Sequence, residues 1–229
     1  MTDVARPAAD IEGCTRAHRA VLADLERHEL DPVTPSRLPG WTIGHLVTHL
    51  ARNADSFVGI FEAANRGEVG FQYPGGPAQR ADDIEAGAPR TRTSLIEDVR
   101  GACARLEAIW GVTSDDVWRD GKGKTAELIA VRAIPARRWR EVAVHHVDLG
   151  IGYETTDWPD DFVARLLIDV PSLVAPRLPE GATLRYEASD SSWQAGDERG
   201  TAVRAPAREL VAWALGRAVI PDAPELAPF

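Results

Sequence analysis

The sequence predicts an α+β chain in which a four-helix bundle, residues 1–152, is followed by a small α/β C-terminal domain, residues 153–229. Three observations predict it. Four segments before residue 150 repeat apolar residues at spacings of three and four, the period of a helix buried along one side. A Gly- and Pro-rich stretch, residues 67–90, is long enough to be the crossover between two of those helices. After Gly150 the pattern changes to short runs, TLRYEA and TAVRA, that read as strands.

Ile11, Cys14, His18, Val21 and Leu25 mark the first helix, from about Pro7 to His28. The loop LDPVTPSRLPGW follows, and Thr42 is placed to cap a second helix that runs to Arg66 and stops at Gly67. Leu46, His49, Leu50, Asn53, Phe57, Ile60 and Phe61 share one broad face of it. Residues 67–90 read as a loop with one short helix near Asp82 to Ala86. Leu95, Val99, Cys103, Leu106 and Ile109 or Trp110 define the third helix, and a polar turn spans Asp115 to Lys124. Pro135 suits the first turn of a fourth helix reaching Gly150. In the second unit, Trp158 to Leu173 reads as one helix with Phe162, Val163, Leu166, Leu167 and Val170 inward. Thr183 to Ala188 and Thr201 to Ala205 are the strands, separated by the polar turn SDSSWQAGDERG. Glu209 to Arg217 closes the unit as a helix, and the terminal PDAPELAPF is expected to drape over the surface or fray.

Twenty-six Lys plus Arg against 35 Asp plus Glu give a formal charge of -9, and the short cluster Arg137, Arg138 and Arg140 does not offset it. Such a surface repels phosphate backbones and anionic headgroups, so nucleic acid and membrane are not expected as partners. At 44% hydrophobic and 27% charged residues, the chain can bury a sizeable core. MTDVARPAAD has neither a basic nor an apolar leader region and no apolar run is long enough to span a bilayer, so a cytoplasmic protein is expected. Cys14 and Cys103 sit among apolar neighbours and read as buried, reduced thiols. No apolar stripe calls for an obligate protein partner.

Four of the six histidines fall in two places, His45 with His49 and His145 with His146. Glu141, His145 and Asp148 stand at i, i+4 and i+7, along one stripe of the fourth helix. Bundle metal sites are built from carboxylates and imidazoles at this spacing on facing helices, although a Glu–His pair at i, i+4 also occurs as a surface ion pair. His49 lies on the apolar face of the second helix, where an imidazole needs a polar partner. Two histidines and Glu141 would give a divalent metal three ligands and leave positions open for water or substrate. His45 and His49 are themselves at i, i+4, so spacing leaves open which is the ligand. His146 points about 100° away from His145 and reads as a packing residue or as one that supports a ligand from behind. Asp148 either supports an imidazole from behind or caps a neighbouring helix.

LPGWTIGHLVTHLARNAD (Leu38 to Asp55), RRWREVAVHHVDLG (Arg137 to Gly150) and WALGRA (Trp213 to Ala218) together resemble the mycothiol-dependent maleylpyruvate isomerase family, in order and spacing over nearly the whole chain. The resemblance implies a DinB-like metal-binding bundle whose metal site is covered by a C-terminal domain of the sterol-carrier type. It implies His49, Glu141 and His145 as metal ligands, zinc or another divalent metal, mycothiol as thiol cofactor, and Arg217 as the catalytic residue. The implied reaction is isomerisation of maleylpyruvate to fumarylpyruvate, a step of aromatic degradation, by reversible addition of a thiolate to the conjugated double bond. The partners are then a small electrophile and a low-molecular-weight thiol. Without the resemblance, Arg217 reads as a C-terminal helix charge that favours the macrodipole. The same motifs would serve a mycothiol S-transferase or a non-catalytic metal- or ligand-binding bundle, and a hydrolase using metal-bound hydroxide would work without thiol.

Overall fold

The computed structural model describes residues 6–228, so the first five residues of the N-terminal segment read above for a leader, and Phe229 at the end of the tail, lie outside it. The chain divides into two compact units, Met1–Gly152 and Tyr153–Phe229.

The first unit is a four-helix bundle. Its helices are α1 (Ala8–Arg27), α2 (Ile43–Asn65), α4 (Arg92–Val112) and α6 (Ile134–Asp148); between them lie α3 (Gly76–Gly87) and the short α5 (Asp115–Asp120). α2 packs chiefly on α4, and α1 on α6. Leu46, Leu50, Ile60 and Phe61 of α2 and Val99 and Leu106 of α4 are wholly excluded from solvent. Burial of each large side chain stabilises the fold by about 1.5–3 kcal/mol, and that packing, more than helix propensity, holds the bundle together. α1 and α6 approach closely where Gly13 faces Trp139, since a Cβ at 13 would lie 2.3 Å from the indole.

The start of α2 is fixed by Thr42. Its Oγ1 accepts from His45 N–H, and its own N–H donates to His45 Nδ1 at 3.2 Å, a capping box in which histidine replaces the usual glutamate. The helix ends before Gly67, whose φ of +79° few other residues tolerate. Pro135 sits in the first turn of α6 after a 3-10 turn, Val131–Ala133.

Residues 67–90 hold more structure than expected. α3 fills twelve of them, and β1 (Gly70–Phe71) joins β2 (Lys122–Lys124) and β3 (Leu128–Ala130) in a small sheet, β1 parallel and β3 antiparallel to β2. The sheet lies directly on α2. A Cβ at Gly70 would come within 2.6 Å of Ile60 Cα, and one at Gly123 within 2.4 Å of Ile60 Cγ2. These glycines therefore serve a contact between segments distant in sequence, with no local signature.

In the second unit, α7 (Asp160–Leu167) and α8 (Val170–Val174) stand where one helix was expected. Pro171 cannot donate to the preceding turn, so the chain restarts there with the proline in the first turn of α8. β4 (Leu184–Ala188) is central, antiparallel to β5 (Gln194–Gly196) and parallel to β6 (Thr201–Ala205). β5 thus forms inside the predicted polar turn. α9 (Ala207–Ala214) packs against α7, α8 and the sheet, burying Leu210, Val211 and Trp213. It ends three residues earlier than predicted because Gly216 turns left-handed at φ +72°. The N–H groups of Gly216 and Arg217 then return to Trp213 and Ala212 O, at 2.9 and 2.7 Å, a Schellman closure. The tail is pinned at Ala227: its N–H donates to Arg177 O, and Arg177 Nε donates to Ala227 O at 2.6 Å.

Candidate metal centre

α2 and α6 meet so that His49, Glu141 and His145 each bring one ligand-capable atom within 4.8 Å of the others. Glu141 Oε2 is 3.2 Å from His49 Nε2 and 3.7 Å from His145 Nε2. The two imidazoles meet edge to face at 4.9 Å. Behind His145, Asp148 is 2% exposed and its Oδ2 is 2.9 Å from His145 Nδ1. That bond places the proton on Nδ1 and leaves the Nε2 lone pair directed at the cluster, the arrangement by which a carboxylate orients a metal-binding histidine. Asp148 itself is held through its backbone, whose carbonyl accepts from Arg37 N–H at 2.8 Å. Two imidazole nitrogens and a carboxylate oxygen at these separations, with such support, fit a divalent ion of the zinc type.

The electrostatics of the three groups are coupled. Burial, opposed by the Glu141 hydrogen bond and aided by the His145 and Arg80 charges, lowers His49 to about 4. Burial also pushes the Glu141 carboxyl up, but hydrogen bonds from His145 and His49 outweigh it and hold the group well below the usual carboxylate range. Burial lowers His145, yet its bonds to Asp148 and Glu141 prevail and raise it above 6.5. A carboxylate flanked by imidazoles of opposite tendency is already in a ligand's charge state at neutral pH.

Within the first unit, His45 and His146 make other contacts. His45 is turned into the capping box, with Nε2 3.3 Å from Glu85 Oε2. His146 faces Asp24 of α1 at 3.0 Å. Arg217, at the turn closing α9, donates from Nη1 to Leu215 O at 2.5 Å. Its charge lies near Arg177, whose pKa is lowered by burial and then by Arg217.

Two features near the cluster had no clear signal in the sequence, and a third, a buried polar layer, had a partial one. Trp41 sets its ring edge to face against His49 at 5.5 Å. Arg80 of α3 donates from Nη2 to His49 Nδ1 at 3.1 Å. One turn along the same helices from the cluster, a second polar layer joins them: Arg138, wholly buried, donates from Nη1 to Asn53 Oδ1 at 2.8 Å, from Nε to His18 Nε2 at 3.1 Å and from Nη2 to Cys103 Sγ at 3.5 Å. His18 Nδ1 then meets Glu107 Oε1 at 2.8 Å. His18 and Asn53 stand out in the sequence as polar residues on apolar faces; Arg80 and Trp41 do not. Cys14 and Cys103 are free and buried.

A family model described as the mycothiol maleylpyruvate isomerase N-terminal domain matches residues 11–150, the bundle from α1 to the end of α6. The chain belongs to the mycothiol maleylpyruvate isomerase family. Two solved structures of such family members share its fold: a mycothiol-dependent maleylpyruvate isomerase, TM-score 0.81, and a histidine-to-alanine mutant of a mycothiol-dependent maleylpyruvate isomerase, TM-score 0.82. Each is 25% identical to this chain, over 93% of it and 90% of the solved chain. No curated protein matches the chain. The likeness thus spans both units. Among the described residues, no helix is long and apolar enough to cross a membrane.

Proposed function

We propose that this family member is a metal- and mycothiol-dependent isomerase of the maleylpyruvate type, with His49, Glu141 and His145 as the metal ligands. One observation carries the reading: three ligand-capable atoms of α2 and α6 within 4.8 Å, with Asp148 fixing the tautomer of His145. Turning a conjugated double bond requires that its π character be removed for the length of a rotation. When bound, a zinc-type ion would lower the pKa of the mycothiol thiol, and the thiolate would be the reversible nucleophile that such a rotation needs.

The protein's own residues hold and shape that chemistry. Glu141 and the two histidines would supply three ligands from two rigid helices. Asp148 sustains the basicity of His145, and Trp41 walls His49. Neither cysteine can take the nucleophile's part, because Cys14 and Cys103 are 0% and 3% exposed and lie in the polar layer beneath. Arg217 is assigned a substrate carboxylate or the developing enolate, as a guanidinium fork suits.

The test is ultraviolet monitoring of maleylpyruvate on metal-analysed protein, with and without mycothiol. Signal change that needs both metal and thiol, with thiol recovered, is expected. Stoichiometric loss of thiol would replace the isomerase by an S-transferase, turnover without thiol by a hydrolase, and no turnover by a binding protein. Arg217→Ala and Arg217→Lys should abolish turnover with metal content unchanged; surviving activity removes Arg217 from the mechanism.

A further inference from the structure

Arg80 is a cation in direct contact with the cluster, through His49. Arg52, Arg90 and Arg105 each have an aspartate within 2.6–2.8 Å. Among the described residues no carboxylate pairs with Arg80, whose contacts are His49 Nδ1 and the ring of Tyr73, 5.6 Å from its guanidinium carbon. It is carried by α3, a helix whose one buried residue is Ile84. In a chain of net charge -9, a guanidinium without a carboxylate beside a candidate ion site is placed to meet an anion from outside.

The hydrogen bonding of His49 adds a constraint. Because Arg80 can only donate, His49 Nδ1 accepts from it, and the ring proton sits on Nε2, facing Glu141 Oε2 at 3.2 Å. An ion bound at Nε2 moves that proton to Nδ1, where two N–H donors would then oppose each other. Arg80 and an ion therefore compete for the same imidazole from its two ends. Arg80 must break its bond to His49 when the ion binds, and the Tyr73 face on which it already rests can keep it beside the site. A freed guanidinium beside the ion has the planar fork that grips a carboxylate through two parallel hydrogen bonds.

We propose that Arg80 is the carboxylate-binding residue of this site, hydrogen-bonded to His49 until a divalent ion takes Nε2 and then released to hold a carboxylate of the substrate. The inference rests on the metal-site reading above. The substrate named there is a dicarboxylate, and Arg217 accounts for one carboxylate at most.

The test compares wild type with Arg80→Gln and Arg80→Lys in two binding measurements. Zinc affinity is read by competition with a chromophoric chelator, and maleate, as a probe dicarboxylate, is titrated calorimetrically into zinc-loaded protein. Arg80→Gln should bind zinc about tenfold more tightly, having no Arg–His bond to break, and maleate about tenfold more weakly. Arg80→Lys should keep part of the maleate affinity. A residue that merely supports the fold would weaken both. Unchanged or weaker zinc binding in Arg80→Gln, or unchanged maleate binding, overturns the proposal. If wild type isomerises maleylpyruvate while Arg80→Gln leaves both affinities unmoved, Arg80's role falls and the isomerase stands. If wild type fails to isomerise but both affinities shift as stated, the isomerase falls and Arg80's role stands.

Discussion

Asp148→Asn isolates the support of one candidate ligand. Asp148 is 2% exposed, its Oδ2 is 2.9 Å from His145 Nδ1, and its backbone bond to Arg37 survives the change. The amide oxygen of asparagine can still accept from Nδ1, so the fold should persist while the charge is lost. A hydrogen bond to a charged group is worth about 1.5–3 kcal/mol. Removing a carboxylate that orients a metal-binding histidine typically costs about 10- to 100-fold in affinity, which at 1.36 kcal/mol per decade is about 1.4–2.7 kcal/mol. The two estimates overlap, and a loss of about 30-fold in metal affinity follows.

The pH dependence sharpens that figure. In the metal-free protein Asp148 also favours the proton on His145, helping to raise its pKa against burial. Below the raised pKa of His145 the ion must displace this proton, so there part of the loss cancels. Above the raised pKa of His145 the competition ends and the whole factor is expressed. Chelator competition at several pH values from 6 to 8.5, on protein whose circular dichroism melt matches wild type, measures it. A ratio below twofold at pH 8.5, or one that shrinks as pH rises, would refute the argument.

Three further predictions concern the bundle. Gly13→Ala drives a methyl into Trp139, which would lie 2.3 Å away; overpacking costs about 1–3 kcal/mol and outweighs the smaller gain in helix propensity, so urea unfolding should show a loss of about 1 kcal/mol, and a gain would disprove the close approach of α1 and α6. Arg138→Met keeps much of the volume but leaves Asn53 Oδ1 and His18 Nε2 buried without their donor, at about 1–3 kcal/mol each; a total loss under 1 kcal/mol by the same measurement would deny the second polar layer a structural role. In metal-free protein, His49 titrates near 4 when folded against about 6.5 when unfolded, so the unfolded chain binds more protons in that window. Its contribution, about 3 kcal/mol at most, is complete above pH 6.5 and lost as pH falls towards 4; an acid limb that is no flatter in His49→Gln contradicts the assignment.

The four bundle helices were legible because each buries one stripe, and the period of that stripe is written in the chain. Glu141, His145 and Asp148 were legible for the same reason, as a polar stripe on one helix. Choosing between His45 and His49 was not, since both lie one turn apart on α2; the choice depends on His45 Nδ1 closing the cap on Thr42, visible afterwards as a histidine at the third helical position. Pro171 was in plain view and should have divided the predicted helix. α3 and the sheet on α2 escaped because their defining contacts, Ile84 in one case and Gly70 and Gly123 against Ile60 in the other, are between distant segments. Arg80 escaped because a single arginine in a polar stretch has no period, and only the fold gives it His49.

The acidity of the chain opposes the dianionic substrate proposed above, and the distances resolve the conflict. At physiological ionic strength the Debye length is about 8 Å, so the diffuse field of -9 charges acts weakly on an approaching carboxylate. Contacts inside the site are screened far less. Arg52 and Arg90 are already paired with Asp98, Arg52 with Asp55 as well, and Arg138 is wholly buried. Arg80 is different because its imidazole partner can be claimed by an ion. An anion-binding charge that is engaged before metal loading and exposed after it would keep a dicarboxylate from occupying an incomplete site. In that arrangement the order of assembly, metal before substrate, is set by which end of His49 carries its proton.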